Sequence, residues 1–390
     1  MRITPFLAAA ILLAAGTAGA SFESFLERLE KAPEPERHLM AEEFLGSNEV
    51  PAVSGTTAYF IYCDDSASSV SVAGDFNDWK PGADSMSKVP GTCLFYLKKE
   101  FEIDARLDYK FVVNGSAWTL DPRNPARVTG GFGPNSELSM PGYVQPFEIV
   151  RDPGIAHGEL VTENFPSRIM EATRKIHVYL PPGYDDSGER LYPVLFVHDG
   201  WEYATLGSMV DVADNLLARG DIDPVVIVFI DPNERNSEYK ASERFTSMIV
   251  TEVVPWVDEK FDVERDPALR GMMGASLGGL ISVYITWNHP GLFGFCASQS
   301  GAFLPGYSQV IRIVEEGPPR EIKYYLDWGK YERAIAESNE DMREAILRGG
   351  HELTWKVYPE GHSWGSWRAH VDDILTAFAG REAGTTGQKK

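Results

Sequence analysis

The sequence predicts an all-β sandwich over residues 51–145, followed by an α/β domain with a mostly parallel sheet over residues 167–380. Three observations support this prediction. The chain has 390 residues, more than one ordinary domain contains. Its first part holds short alternating apolar runs separated by turn residues. Its second part alternates strand-like with helix-like stretches, and this alternation is typical of a parallel sheet flanked by helices.

The composition supports a globular protein with a strongly acidic surface. Hydrophobic residues make up 43% of the chain, which is enough for a sizeable core. The 36 basic and 57 acidic residues give a formal net charge of -21. Such a surface repels phosphate backbones and anionic lipids, so we predict neither a nucleic-acid partner nor a membrane partner.

Residues 1–20 are predicted to be a cleavable signal peptide. Arg2 gives a positive start, Phe6–Ala15 is a short apolar run, and Ala18–Ala20 supplies the small-x-small pattern before the cut. A membrane anchor is the alternative, but the apolar run is too short to cross about 30 Å of hydrocarbon. We therefore expect cleavage after Ala20 and a secreted or periplasmic protein.

The three cysteines do not form a disulfide scaffold by number alone. Cys296 lies in an apolar run and is predicted to be a buried, inert thiol. Cys63 and Cys93 flank strand-like segments, and an oxidising compartment would permit a bridge between them. The sequence does not give the Cα separation that a bridge requires, so both states stay open.

The elements before residue 167 are predicted from spacing and turn residues. Residues 21–50 are expected to be helical, because apolar residues recur at helical spacing from Phe22 to Leu29 before Pro33 interrupts. Residues 146–166 carry few periodic signals and are predicted to be a linker. The strand-like runs of the sandwich are 57–62, 70–73, 94–97 and 109–113.

The elements after residue 167 alternate in type, and the polar tail 381–390 is predicted to be disordered. The predicted strands are Lys175–Leu180, Val194–His198, Val225–Ile230, Leu269–Gly274, Gly294–Ser298, Ile322–Leu326 and Leu353–Tyr358. The predicted helices are Phe245–Lys260, Leu277–His289, Glu340–Arg348 and Ser366–Phe378.

The segment Gly274-Ala275-Ser276-Leu277-Gly278-Gly279 matches the G-x-S-x-G pattern. An apolar strand-like run precedes it and a helix-like stretch follows it, which is the setting of the nucleophile elbow in an α/β-hydrolase. A tight turn needs small neighbours, because a side chain at Gly274 or Gly278 would collide with the adjoining strand or helix. The pattern therefore predicts an α/β-hydrolase with Ser276 as its nucleophile.

A serine hydroxyl needs a general base, and His362 is the best placed histidine. It lies in a loop directly after the last predicted strand, where a histidine can reach the top of the sheet. The other histidines lie outside the sheet region or on strands and helices, although His198 ends a strand that borders the predicted cleft.

The third member should be a carboxylate after the penultimate strand, in the chain order serine, acid, histidine. Glu332 is favoured, because a loop carboxylate can turn toward His362 and fix its tautomer. Asp327 sits on the strand end and is the second choice, with a buried structural role as its alternative.

An oxyanion hole requires two backbone N–H groups. The first is predicted to be that of Leu277, directly after the nucleophile. The second is predicted to be that of Trp201, in the loop after the strand that ends at His198. Gly200 would let the backbone approach closely there.

Residues 173–379 resemble the esterase D or putative-esterase family, which includes enterochelin esterases, feruloyl and acetylxylan esterases, and mycolyltransferases. The matching segments are Tyr179–Tyr184, His198–Gly200, Glu252–Pro255, Gly274–Gly279, Ser298–Gly301, and Gly361-His362 with Trp367. The resemblance implies Glu332 as the acid and Trp201 as the second oxyanion donor.

The same resemblance suggests residues that bind substrate. The loop Asn233–Tyr239 is similar to a segment that borders the family's active site, so Arg235 and Tyr239 are predicted to contact substrate together with Asp199. Trp201, Trp364 and Trp367 could form an apolar wall for an aromatic acyl group, although packing is their commoner role.

The segment Val70–Pro125 resembles the glycogen-binding type of immunoglobulin-like E-set domain, through Gly74–Trp79, Tyr109–Phe111 and Trp118–Pro122. In sugar-binding members two aromatic platforms and a lysine hold the glucan. The residues at those positions are Trp79, Lys110, Trp118 and Asn135. The alternative, which we favour, is a module that only packs beside the catalytic domain.

Three functions compete on the sequence. A serine esterase acting on acetyl or feruloyl groups of polysaccharides fits the signal peptide and the sugar-module resemblance. A siderophore trilactone esterase fits the pairing of the two domains, with Arg235 reversing the local negative charge. A non-catalytic glucan-binding protein is the alternative of another class. None of these requires a cofactor, and no residues stand at metal-ligand spacing.

Overall fold

The computed structural model describes residues 22–130 and 133–381. The predicted signal peptide lies outside the described residues, as does the predicted tail beyond residue 381. The chain separates into two compact units. The first comprises Met1–Gln145 with Tyr358–Ser363, and the second comprises Pro146–Val357 with Trp364–Lys390.

The first unit begins with two helices, α1 (22–31) and α2 (Glu34–Ser47), separated where Pro33 and Pro35 stand. Their apolar side chains are buried against the first sheet, and the Phe22 ring lies 5.0 Å from that of Tyr59. Helices thus cover 22–31 and Glu34–Ser47 of the segment 21–50 that the sequence predicts to be helical.

The rest of the first unit is two antiparallel sheets. One has the strand order β1-β2-β6-β5, and the other β4-β3-β7-β10-β9 with β8 paired to β7. They pack face to face, because the rings of Phe60 and Tyr109 lie 4.9 Å apart. The strands are β1 Ala52–Ser54, β2 Thr57–Cys63, β3 Val70–Gly74, β4 Asp84–Ser85, β5 Ser87–Lys88, β6 Leu94–Glu100, β7 Arg106–Val113, β8 Ala117–Thr119, β9 Arg127–Gly130 and β10 Gly133–Ser139.

The structure resolves the open question about the cysteines. Cys63 and Cys93 form a disulfide with Cα atoms 4.7 Å apart, which links the end of β2 to the turn before β6. Cys296 is a free, fully buried thiol whose burial raises its pKa to about 12. The prediction of an inert thiol is confirmed.

The second unit is built on one sheet with the order β11-β12-β14-β13-β15-β16-β17-β18. The strands from β14 through β13, β15 and β16 to β17 run parallel, whereas β11 and β12 are antiparallel to their neighbours. The strands are β11 Glu159–Ser167, β12 Ala172–Leu180, β13 Val194–His198, β14 Val226–Ile230, β15 Arg270–Ala275, β16 Phe295–Gln299, β17 Lys323–Gly329 and β18 Glu352–Tyr358.

Helices flank this sheet and complete the α/β architecture predicted from the sequence. Apolar clusters that include Val197 and Val228 fill the space between the sheet and its helices. The helices are α3 Gly200–Thr205, α4 Met209–Arg219, α5 Arg235–Glu238, α6 Glu243–Met248, α7 Val254–Lys260, α8 Leu277–Asn288, α9 Gln309–Glu316, α10 Ala334–Arg348, α11 Trp364–Arg368 and α12 Val371–Ala379.

Two predictions differ from the structure in this unit. The expected linker 146–166 contains most of β11, an edge strand whose largely exposed side chains lack the apolar alternation that identifies a strand. The single predicted helix Phe245–Lys260 is divided by a π-helical turn, Ile249–Val253. Pro255 follows that turn, and a proline has no N–H to continue the regular α-helical pattern.

Candidate active site

Ser276 occupies the turn between β15 and α8 in a conformation that serine rarely adopts. Its φ is 58° and its ψ is -118°. The surrounding backbone holds it there: the Ser276 N–H donates to the Gln299 carbonyl at 2.9 Å, and its own carbonyl accepts from the N–H groups of Leu280 and Ala302 at 3.1 and 2.9 Å. A positive φ at a non-glycine residue is strained, and such strain is found at nucleophile elbows.

The glycines around Ser276 are required by close packing. A Cβ at Gly274 would lie 2.6 Å from the carbonyl carbon of Gly278, and one at Gly279 would overlap the Ser298 hydroxyl. A Cβ at Gly278 would lie 3.2 Å from a carboxylate oxygen of Asp199. The collision expected at Gly274 is therefore present in the structure.

The N-terminus of α8 supplies the predicted oxyanion donor. Leu277 is the first residue of this helix, so its N–H belongs to the first turn, whose N–H groups have no intrahelical acceptor. The helix dipole adds partial positive charge at the same place. This geometry suits an oxygen that becomes negative next to Ser276.

Glu332 is a buried carboxylate fixed after β17. One of its oxygens, Oε1, accepts from the Ser300 hydroxyl at 2.6 Å and from the Gly329 N–H at 2.8 Å. The Trp367 indole N–H donates in turn to the Ser300 hydroxyl at 3.0 Å. The end of β17, the loop after β16 and helix α11 thus restrain one carboxylate.

Asp327 lies in a different environment, inside the sheet on β17. Its Oδ2 accepts from the side-chain amide of Gln299 at 3.0 Å, and burial raises its pKa to about 7. The same amide also donates to the Trp367 carbonyl at 3.1 Å. These contacts suit a structural carboxyl group and favour Glu332 as the acid.

His362 is exposed and lies in the loop between β18 and α11. The six residues around it, Tyr358–Ser363, cluster with the first unit. The assignment of Ser276, His362 and Glu332 as a triad stays a prediction.

The loop after β13 has the predicted backbone shape but a different hydrogen bond. A Cβ at Gly200 would overlap the backbone of β14 near Ile230, so the close approach expected there is present. The Trp201 N–H, however, donates to the Asp231 carboxylate at 2.7 Å. The Trp201 N–H thus has a side-chain acceptor in this structure, and its assignment as the second oxyanion donor stays a prediction.

Arg235 and Asp199 form a bidentate ion pair near the turn that carries Ser276. The guanidinium Nε and Nη2 each lie 2.7 Å from a different oxygen of Asp199, and Nη2 lies 3.3 Å from the carbonyl of Ala275. The Arg235 side chain is 37% exposed, whereas that of Asp199 is only 5% exposed. Arg235 is therefore accessible to a substrate, and Asp199 orients it.

Three predicted substrate contacts are corrected by burial. Tyr239 is fully buried, and its hydroxyl accepts the Asp199 N–H at 2.9 Å. Trp364 and Trp367 are each 7% exposed and pack edge to face with ring centres 5.0 Å apart. These three large side chains pack in the hydrophobic clusters of the second unit, so they support the site through packing.

Ser300, Gln299 and Asp231 are site residues whose roles sequence reasoning did not assign. A signal was present for the first two, because the segment Ser298–Gly301 includes the end of β16, which runs parallel to the strand before Ser276. Asp231 follows β14 in the same way, but its contact with Trp201 depends on how two neighbouring loops fold. No spacing rule predicts that contact.

The residues proposed for sugar binding have different environments in the first unit. The Trp79 indole N–H donates to Asp75 at 3.0 Å, and the Asn135 amide donates to Asp108 at 3.0 Å. Lys110 lies on β7 opposite Ala73. Trp118, on β8, is 46% exposed. Trp79 and Asn135 thus use their polar groups within the unit.

Within 22–130 and 133–381, no three His, Cys, Asp or Glu side chains gather in a way that could hold a metal ion. No helix in these ranges combines the length and apolar character needed to cross a bilayer.

The family described as putative esterase matches residues 167–378. An endo-1,4-beta-xylanase/feruloyl esterase of Xylanibacter ruminicola is 28% identical over 247 residues, covering 57% of this chain and 33% of that protein. An iron(III) enterobactin esterase of Dickeya dadantii is 25% identical over 234 residues, covering 55% of this chain and 53% of that protein. The chain thus spans about half, or less, of the length of these relatives.

Solved structures show the same fold. The ferric enterobactin esterase of Salmonella typhimurium superposes with a TM-score of 0.70 at 19% identity, covering 83% of this chain and 93% of that one. A ferulic acid esterase of Anaeromyces mucronatus superposes with a TM-score of 0.52 at 21% identity, covering 59% of this chain and 94% of that one. The first match includes residues outside 167–378, so the likeness in fold extends beyond the esterase region.

Proposed function

Since the chain belongs to the putative-esterase family, we propose that it is a serine carboxylic-ester hydrolase with Ser276 as its nucleophile. The observation that carries this proposal is the strained backbone of Ser276 at the junction of β15 and α8. A glucan-binding protein without activity would not need a serine with a strained backbone at this turn. The geometry therefore supports the esterase best.

The proposed reaction proceeds through an acyl-enzyme. His362 takes the proton of the Ser276 hydroxyl as its oxygen attacks the ester carbonyl carbon, and the Leu277 N–H stabilises the oxyanion. The carbon–oxygen ester bond breaks, and the alcohol leaves with the proton from His362. Water then attacks the acyl group with His362 as base, which releases the acid and free Ser276. Glu332 orients His362.

For the substrate we propose acyl esters of polysaccharides, of the acetyl or feruloyl type. The relative that carries a feruloyl esterase name supports this class. An exposed tryptophan also supports it, since Trp201 is 48% exposed and follows the strand next to that of Ser276. An indole face can stack on an aromatic acyl group or a sugar ring.

A siderophore trilactone is the second candidate substrate. The relative named as an iron(III) enterobactin esterase favours it, as does the accessible guanidinium of Arg235 beside the nucleophile. A cation at this place would attract an anionic catecholate despite the acidic surface.

The test is hydrolysis of p-nitrophenyl acetate by the purified protein and by Ser276→Ala. The variant should lose at least about 10³-fold in kcat, because it removes the nucleophile. Ser282→Ala is the matched control: it lies on the same helix, its hydroxyl bonds to the Gly278 carbonyl, and it should keep its activity. Equal activity of Ser276→Ala and the parent would refute the proposal. Acetylated xylan, methyl ferulate and a catecholate trilactone would then identify the substrate class.

We also propose that the protein is exported. The pattern of residues 1–20 supports export, and so does the Cys63–Cys93 disulfide, since disulfides persist in oxidising compartments. N-terminal sequencing of protein recovered from the periplasm or the medium should start at Ser21. Recovery of an intact Met1 from the cytoplasm alone would contradict export.

A further inference from the structure

The segment that carries His362 is bound by the first unit through its backbone. The Arg106 N–H donates to the Pro359 carbonyl at 3.2 Å, and Arg106 forms a parallel bridge with Glu360. Tyr358–Ser363 therefore meets the start of β7 through a single β-bridge.

The side chain of Arg106 holds the residue after His362. Arg106 is fully buried, and its Nη1 donates to the Ser363 hydroxyl at 3.1 Å. Its other nitrogens pair with Asp108 at 2.9 Å and with Glu137 at 3.0 Å. Burial alone would lower the pKa of Arg106, but Asp108, Glu137 and Glu360 together raise it, so the guanidinium stays charged.

The carboxylate of Asp75 meets the residue before His362. A Cβ on Gly361 would overlap Asp75, so the backbone can take this path only because residue 361 is glycine. Asp75 is itself held from two sides: its Oδ1 accepts the Trp79 indole N–H at 3.0 Å, and its Oδ2 accepts the Asp108 N–H at 2.7 Å.

Both neighbours of His362 thus touch buried polar groups of the first unit. Gly361 meets the Asp75 carboxyl group, whose pKa burial raises to about 8, and Ser363 meets the charged guanidinium of Arg106. Buried charges cost desolvation energy, and an apolar core would stabilise a β-sheet unit at least as well. A buried ionic cluster is better suited to fixing one geometry than to adding stability. This cluster fixes the geometry of the loop that carries His362.

We propose that Arg106 and Asp75 are positioning residues that hold Gly361 and Ser363 so that His362 is oriented for catalysis. The inference rests on the proposed function, in which His362 is the general base. It also assigns Trp79 a different task from sugar stacking: its indole N–H fixes Asp75.

The test compares small changes on either side of His362. Ser363→Ala removes the Arg106 contact, and Gly361→Ala places a methyl group against Asp75. We expect kcat to fall by about tenfold in Ser363→Ala and by about 10²-fold in Gly361→Ala, with KM within about twofold, because displacing a catalytic group by about 1 Å costs on this order. The apparent pKa on the acid limb of the kcat/KM profile should shift in both, since it reports the base.

Matched controls come from the same unit. Ser136→Ala deletes a buried hydroxyl that accepts from the Asp121 N–H, and Gly46→Ala adds a methyl group where no atom lies within 4 Å. Both should retain the parent kcat and pH profile. Circular dichroism and the melting temperature of every variant establish that it is folded. Ser363→Ala keeps the inference testable if Gly361→Ala does not fold.

The outcomes separate the inference from the proposed function. If His362→Ala loses activity while folded Ser363→Ala and Gly361→Ala keep the parent kcat and pH profile, the positioning role is overturned and the esterase stands. If Ser136→Ala loses as much activity as Ser363→Ala, the effect is general instability and the positioning role is also overturned. If His362→Ala is fully active, the proposed base itself is wrong.

Discussion

Two acidic side chains near the end of β17 differ in their surroundings and therefore in their chemistry. Glu332 accepts hydrogen bonds from a hydroxyl and from a backbone N–H, which orient its carboxylate. Asp327 is buried beside the Gln299 amide, and its pKa is raised to about 7. A triad acid must be ionised to stabilise an imidazolium. Substitutions of Glu332 and of Asp327 are therefore expected to affect kcat differently.

Glu332→Gln should lower kcat by about 10³-fold, because an amide cannot stabilise the imidazolium or fix the histidine tautomer. Asp327→Asn should keep kcat within about threefold of the parent, because an amide is nearly isosteric with the protonated form that burial of this carboxyl group favours. Steady-state hydrolysis of p-nitrophenyl acetate at pH 7 measures both. The reverse pattern would make Asp327 the acid.

Asp327 should also make the stability depend on pH. Burial raises its folded pKa to about 7, above its ordinary value of 3.8. Its stabilising contribution to the unfolding free energy is therefore fully present below pH 3.8 and is lost as the pH rises through about 7. The loss is on the order of a few kcal/mol. Relative to the parent, Asp327→Asn should be more stable at pH 8 than at pH 4.5 in urea denaturation.

The control for this experiment is Asp186→Asn, which removes an exposed carboxylate from the same unit. Its difference from the parent should be the same at both pH values. An Asp327→Asn difference that does not change between pH 4.5 and pH 8 would show that the carboxyl group is not held protonated.

Residue roles could be predicted where the chemistry depends on local sequence. Ser276 was predictable, since small neighbours and flanking periodicity define its turn. Tyr239 and Trp367 were not, because an aromatic residue beside a cleft can line it or pack beneath it. Only the three-dimensional packing distinguishes these two positions, and here both side chains are buried.

At the scale of elements, the junction of β15 with α8 is the most constrained part of the second unit. The strand and the helix approach so closely that Gly274 and Gly278 lie against each other. The register of β15 between β13 and β16 fixes where the strand ends. The position of Ser276 therefore depends on three strands and one helix.

Gly274→Ala should lower kcat/KM by on the order of 10²-fold, because its methyl group must push the first turn of α8 away from Ser276. Gly291→Ala is the matched control, since no atom lies within 4 Å of the added Cβ in a turn of the same unit. Hydrolysis rates and melting temperatures check both. Full activity in Gly274→Ala with an unchanged melting temperature would mean that the helix can shift freely.

The central strands were predicted to within a few residues because they are buried on both faces and read as apolar runs. Val194–His198 has the predicted bounds. Strand β11 could not be predicted in this way, because it lies at the sheet edge and buries only two of its nine side chains, Phe165 and Ser167. Its pairing with β12 over nine residues comes from backbone hydrogen bonds, which leave little pattern in the side chains.

At the scale of the whole molecule, the net charge of -21 acts on any charged substrate. A neutral ester approaches without electrostatic work, whereas an anionic catecholate is repelled over a distance set by the salt concentration. Arg235 gives a local attraction only at short range, and Asp199 partly cancels it.

The rate for an anionic substrate should therefore increase with ionic strength. Between about 20 and 500 mM salt we expect kcat/KM for a neutral acetyl ester to change by less than about twofold, and that for a catecholate trilactone to rise severalfold. Parallel assays across the salt series measure both. A fall in the trilactone rate with added salt would show that the local cation dominates the field of the whole protein.

The arrangement of the cysteines also provides a chemical reporter of unfolding. Cys63 and Cys93 are bonded to each other, and Cys296 is enclosed in the core of the second unit, so each of the three sulfurs is either oxidised or buried. An alkylating reagent can react with Cys296 only when that core opens. The rate at which Cys296 is labelled therefore measures how often the core of the second unit, which also carries Ser276, opens. No engineered probe is needed. An inhibition that appears faster than this labelling cannot arise from thiol chemistry.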